Sequence, residues 1–265
     1  MYDVLIPTWN ACPEIKECLN NIVDSFGDKL NNIIICDNYS TDDTLKICKT
    51  FNCKIIFDAV SLGNARLKLL TTAETENCFW IDSDVYINKE WFNGLTDYYH
   101  KNNSSFVYGV HNLIPERDRT FKHLSGDKAR GFTNNAIFNR NHTLNVIDFD
   151  VMKGLNAYED YYITQRLIEN NYQVTRLPFF CVHDMKTNKD KLCNYRLAWN
   201  LSGEINLKGT FNFFMLWDRK YYFFDNMVSF IQNGNFKYII ELFTGYYNMF
   251  KVVVDRNFMF RLERG

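Results

Sequence analysis

The stretch CFWIDSDVYI, Cys78 to Ile87, places two aspartates one residue apart at the end of an apolar run. Cys78 to Ile81 has the length and composition of a buried strand, yet an unpaired carboxylate taken out of water costs several kcal/mol. Asp82 and Asp84 therefore call for something positive. The expectation is a divalent cation shared with a ligand rather than a protein side chain, because magnesium and manganese bind through one or two carboxylates plus substrate oxygens. Ser83, between the two, belongs to the same loop.

Upstream, three similar runs, VLIP (Val4 to Pro7), IIIC (Ile33 to Cys36) and KIIF (Lys54 to Phe57), alternate with helical patterns. The helices are expected over about residues 13–26, 41–51 and 63–75. This β-α rhythm predicts an α/β fold with a mixed, mostly parallel sheet flanked by helices. Such sheets bind ligands at the carboxyl ends of their strands, so the polar residues following each strand become candidates: Thr8 and Asn10, Asp37 and Asn38, then Asp82 and Asp84. From about Phe106 the strands shorten and the loops become richer in Asn, Gly and Arg. A helix from about Tyr158 to Asn170 and the strand VTRLPFFCVH, Val174 to His183, complete a set expected to add mixed or antiparallel strands. Phe211 to Phe260 is dense in Phe, Tyr, Met and Ile and reads as two or three amphipathic helices. The division expected is a catalytic domain over 1–205 and a helical extension over 206–265.

With 265 residues, 46% of them apolar and 17% aromatic, the chain can bury a large core. Its 30 basic and 31 acidic residues nearly cancel, so no global basic field argues for nucleic acid as the partner. The eight cysteines form no CxxC pair and several lie in apolar strand-like runs, so they are read as reduced thiols of a cytoplasmic protein. The sequence opens directly on a strand signal, with no expected targeting segment, and no uncharged apolar run reaches the roughly 18 residues of a membrane span. In the C-terminal region Arg219, Lys220, Lys237, Lys251, Arg256 and Arg261 are interleaved with aromatic residues. That pattern suits an oligomer interface, such as a homodimer, or helices lying in a lipid headgroup layer at the cytoplasmic face of a membrane, the reading favoured here.

Three further segments carry chemistry. In DNYSTDDT, Asp37 to Thr44, Ser40 has the pattern of a helix N-cap with Asp43 at the third helical position. Asp37 can either accept a nucleobase ring N–H or form an Asx turn. In LNAYEDYYITQRLIENN, Leu155 to Asn171, Asn156 is the expected cap, with Glu159 reaching back to it. Asp160 sits in the first turn, where the helix dipole would keep it ionised and suited to take a proton from a hydroxyl. In FFCVHDMKTNKDK, Phe179 to Lys191, a neutral His183 can complete a carboxylate-bound metal site, and Lys186, Lys189 and Lys191 can reach a diphosphate.

Taken together, PTWN, DNYSTDDT, LGNAR (Leu62 to Arg66), DSD, YED and the strand-ending His183 resemble the family 2 glycosyltransferases of GT-A fold over roughly Met1 to Trp199. The resemblance implies transfer of a sugar, with inversion, from a nucleotide-diphosphate donor, UDP-linked as the best match, to a hydroxyl of a glycan or a polyprenyl- or other lipid-linked acceptor. It implies a divalent cation, Mn or Mg. Carried over by residue, Thr8 and Asp37, with Asn10, would contact the base and ribose, and Arg66 would lie over the base or near the phosphates. Asp82 would meet the ribose or the metal's water shell, Asp84 the metal itself, and His183 the metal or diphosphate. Asn134 and Asn135 would lie near the transferred sugar, and Asp160 would be the base. LGNAR is shorter and poorer in glycine than the family's usual form. Two other classes share parts of this inventory. A sugar-nucleotide nucleotidyltransferase would carry a glycine-rich phosphate loop after its first strand, which PTWNACPE does not offer. A catalytically silent binding module would be expected to lack Asp84 or Asp160.

Overall fold

The structure, a computed structural model, describes residues 1–111, 124–125, 132–155 and 159–183. The expectations for Lys186, Asn156, the domain boundary near 205 and the C-terminal helices fall outside these residues.

Among the described residues nine strands and seven α-helices follow in chain order: β1 (Tyr2–Thr8), α1 (Glu14–Phe26), β2 (Leu30–Asp37), α2 (Thr44–Thr50), β3 (Lys54–Phe57), α3 (Leu62–Thr72), β4 (Asn77–Ile81), β5 (Val85–Tyr86), α4 (Lys89–Lys101), β6 (Phe106–His111), β7 (Leu124–Ser125), β8 (Asn135–Asn139), α5 (Arg140–Val146), α6 (Phe149–Gly154), α7 (Glu159–Glu169) and β9 (Val174–His183). The strand order is β3-β2-β1-β4-β8-β6-β9-β5, with β7 also on β9. The first four of these strands are mutually parallel, and β8 joins β4 antiparallel. Val4, Leu5 and Ile6 point alternately to opposite faces, yet all are fully buried, because helices cover both sides of the sheet. On one side α1 buries Ile15, Cys18, Leu19, Ile22 and Phe26, a helical stripe.

The sheet brings distant residues to one edge. Pairing of Ile81 with Asn135 lets the Asp82 amide donate to the Asn134 carbonyl at 3.1 Å. Pairing of Val85 with His183 carries Asp84 alongside the histidine.

Two local expectations are corrected and one helix is new. The second helix starts at Thr44, and its capping position, Asp43, makes no side-chain cap; Ser40 is bonded elsewhere, as described below. The third helix starts one residue early, at Leu62, because the Ser61 side chain accepts from the Asn64 amide. Helix α4 was not expected from the sequence at all. Asn88 caps it by accepting from the Trp91 amide, and Trp91, Phe92, Leu95 and Tyr99 form its buried stripe. Among the described residues no helix is long and apolar enough to cross a membrane, and the seven cysteines there are free.

Candidate active site

A cleft of about 380 Å³ opens where the ends of β1, β2, β3 and β4 meet the start of α3, and Thr8, Trp9, Asn38, Asp58, Asp82, Ser83 and Asp84 are among its walls. Thr8 is 6% exposed, and its Oγ1 is buried without a hydrogen-bond partner. Such an orphan is uncommon in a folded interior and suits a wall that awaits a polar ligand. Trp9, by contrast, is 61% exposed at the mouth. Asp58 was missed in the sequence. It directly follows β3, so the rule that named Thr8, Asp37 and Asp82 applies to it equally. Its Oδ1 accepts from Asn64 Nδ2 at 2.7 Å and lies 3.0 Å from Lys68 Nζ.

Asp37 and Asn10 are not among the residues that line the cleft. Asp37 is fully buried; its Oδ1 accepts from the Ser40 amide at 2.7 Å and its Oδ2 from the Ser40 hydroxyl at 2.6 Å. The turn-forming alternative is the one its geometry matches. Asn10 has a left-handed backbone, φ 46°. Its amide donates to Ser40 Oγ, and its Oδ1 accepts from the Thr41 amide. These residues tie the β1 and β2 loops together and so shape the wall that Thr8 and Asn38 present.

The positive partner demanded by Asp82 is Arg66, which corrects the expectation that no protein side chain fills that role. Arg66 Nη2 donates to Asp82 Oδ1 at 3.0 Å, and Nε donates to Glu159 Oε1 at 2.9 Å. The guanidinium carbon lies 5.0 Å from the Trp80 ring centre, a cation–π contact, and the side chain is 2% exposed. Arg66 is thus buried and is not among the residues that line the cleft. Glu159, expected to reach back to its own helix cap, gives Oε1 to this knot instead. The contact spans 93 residues because α3 docks closely on the segment leading into α7. The Gly63 amide donates to the Leu155 carbonyl at 2.7 Å, and a Cβ on Gly63 would lie 2.2 Å from the Met152 carbonyl oxygen, so only glycine fits there.

Asp160 occupies the first turn of α7 as expected, but it is not held ionised by the helix dipole. Burial, with Glu159 beside it, pushes its carboxyl up to about 7. Its Oδ1 accepts from the Tyr161 amide at 2.7 Å. A base with a pKa near the working pH is well matched to proton transfer. Asn134 and Asn135 lie beside the Asp82 loop: Asn135 is fully buried, accepting from the Gly109 amide and donating to Asn134 Oδ1. Its side chain braces β6 against β8.

Asp84 Oδ1 lies 3.4 Å from His183 Nε2, and the Asp84 side chain is 34% exposed to the cleft. Among the described residues no group of three or more His, Cys, Asp or Glu side chains forms a ready cage for a metal. The donor set nevertheless fits a hard cation whose remaining positions go to a diphosphate and water. The Arg66 guanidinium is bonded to Asp82 and Glu159, while Asp84 acts on Asp82 and Glu159 on Asp160 as neighbouring negative charges. Burial first, and then the Asp84 and Glu159 charges, push Asp82 above the usual carboxylate range in spite of Arg66. A divalent cation would relieve that excess of negative charge.

The model of the family described as Glycosyl transferase family 2 matches residues 3–158. The poly(ribitol-phosphate) beta-N-acetylglucosaminyltransferase TarS of Staphylococcus aureus is 33% identical over 97 residues, 34% of this chain and 17% of that protein. The glycosyltransferase SunS of Bacillus subtilis is 36% identical over 89 residues, 32% of this chain and 20% of that one. The matched part is thus about a fifth of the length of these relatives. The crystal structure of TarS 1-349 in complex with UDP-GlcNAc superposes with a TM-score of 0.60 at 20% identity, covering 77% of this chain and 66% of the other. The mannosyltransferase PcManGT of Pyrobaculum calidifontis, in complex with GDP-Man and Mn2+, gives 0.59 at 18% identity, with 74% and 60% covered. At these identities the superpositions speak to the fold, a GT-A sheet.

Proposed function

The chain belongs to glycosyl transferase family 2, and on that premise we propose that it moves a sugar from a UDP-linked donor to an acceptor hydroxyl by one in-line displacement assisted by a divalent cation. The observation that carries the reading is the placement of Asp82, Ser83 and Asp84 on the cleft wall, with one arginine bonded both to Asp82 and to the helix turn that bears Asp160. Donor-side carboxylates and a candidate base are then parts of one site.

In this reading Thr8, Asn38 and Asp58 offer polar groups to the nucleoside, Asp82 and Ser83 face the ribose, and Asp84 with His183 holds the cation. Asn134, next to the Asp82 amide, faces the transferred sugar. Asp160 takes the proton of the attacking hydroxyl on the side away from the leaving group, which gives inversion. The bound cation supplies the charge neutralisation that makes a diphosphate a fair leaving group. Uridine is favoured because the TarS structure was solved with UDP-GlcNAc. The names of TarS and of the Bacillus spizizenii poly(ribitol-phosphate) beta-glucosyltransferase support a polyol-phosphate or related glycan polymer as acceptor. The aromatic and basic composition of residues 211–260 supports, within the same proposal, contact with a membrane surface where such acceptors are built.

Measuring nucleotide diphosphate release from UDP-GlcNAc, UDP-glucose and GDP-mannose, with and without Mn2+ and a ribitol-phosphate polymer, tests the proposal. We expect release from a UDP-sugar that depends on both cation and acceptor. No release from any of the three donors under any of these conditions would overturn it.

A further inference from the structure

Arg66 is fully buried, yet it has no place in the wall of the cleft. Its three nitrogens have three fates: Nε is bonded to Glu159, Nη2 to Asp82, and Nη1 is buried with no hydrogen-bond partner. An interior built for stability alone would not leave a charged donor unmet, since such a group costs more than a made bond returns. The guanidinium is planar and its donors form a rigid fork, and Trp80 beneath it fixes that plane. Asp82 and Glu159 therefore cannot move independently while both bonds hold. Asp82 stands on the cleft wall, and Glu159 is the chain neighbour of Asp160.

We propose that Arg66 is a positioning residue that couples occupancy of the donor cleft to the first turn of α7, so that filling the cleft at Asp82 steadies the turn carrying Asp160. This rests on the reading of the cleft as a sugar-nucleotide site and adds a route by which donor binding sets the base. Glu159 is the receiving end of that route. A staple serving the fold alone would hold α7 equally with the cleft empty or filled.

Hydrogen exchange of the full chain, free and saturated with UDP and Mn2+, separates the two. We expect the amides of Tyr161 to Thr164 to slow about fivefold or more on ligand binding in the wild type, the lower end of ordinary coupling between sites. In Glu159→Met, which keeps the length of the side chain and lacks the oxygen that accepts from Arg66 Nε, that slowing is lost, while protection of the cleft segments around Thr8 and Asp58 to Leu62 persists. Turnover of Glu159→Met falls about tenfold or more with donor KM within about twofold, because small displacements of a positioned group cost rate and not binding. Arg66→Lys keeps the charge without the fork and loses the α7 response in the same way; if Arg66→Lys does not fold, Glu159→Met alone carries the test. Failure of UDP to protect the cleft segments overturns the sugar-nucleotide reading and this proposal with it. Protected cleft segments with an unresponsive α7 in the wild type, or an equal response in Glu159→Met, overturn this proposal alone.

Discussion

Asp160→Asn lowers the rate of sugar transfer by about 10²–10⁴-fold, the usual contribution of a positioned general base, and leaves UDP affinity within about twofold. The side chain lies at the start of α7, and the substitution keeps its size while removing its ability to take a proton. Stability moves the other way. The folded carboxyl is pushed up to about 7 by burial and by Glu159, whereas in the unfolded chain it titrates near 3.9, as a free aspartate does. The folded chain thus binds the proton more tightly. The resulting stabilisation is fully present below about pH 4 and is lost as the pH rises to about 7. Asparagine does not ionise, so the variant should melt above the wild type at pH 8, by a few degrees at about 2–4 °C per kcal/mol, and match it near pH 4. Thermal melts of the two cation-free proteins at both pH values check this. A variant that transfers sugar at the wild-type rate would remove Asp160 from the mechanism.

Asp84→Asn weakens binding of UDP in the presence of Mn2+ by about ten- to a hundredfold, as expected for loss of a contact to a charged group worth roughly 1.5–3 kcal/mol. Without the cation the variant should bind UDP at least as well as the wild type, since Asp84 would then meet the ligand's own negative charge. Stability should change little. The carboxylate is one-third exposed and its contact with His183 is long, at 3.4 Å. Equal Mn2+ dependence in wild type and variant would move the cation elsewhere.

The parallel half of the sheet was legible in the sequence because its strands are short β-branched runs punctuated by polar residues at the ligand edge. Lys54–Phe57 and Val174–His183 coincide with the expected limits. Helix α4 was overlooked although Asn88 and the spacing of Trp91, Leu95 and Tyr99 were there to read; its dense aromatics obscured the helical period. The site residues divide by the range of their contacts. Asp84 and Asp160 stand where local pattern put them, at a strand end and in a first turn. Asp37 turns on the local Ser40, which closes both its oxygens. The roles of Arg66 and Glu159 turn on a contact that pattern does not display, across 93 residues. That bond exists because Gly63 lets α3 approach Met152 and Leu155, a packing fact with only a single glycine as its trace. Asp58 is a different case: its signal was local and identical in kind to that of Asp82.

Calorimetric titration of UDP into the full chain, with and without Mn2+, tests the central claim most directly. The account predicts a single site whose affinity rises at least about tenfold with the cation, and in which Asp160→Asn has no effect while Asp84→Asn abolishes the gain. UDP affinity that is the same with and without Mn2+, or no binding in either case, would contradict it.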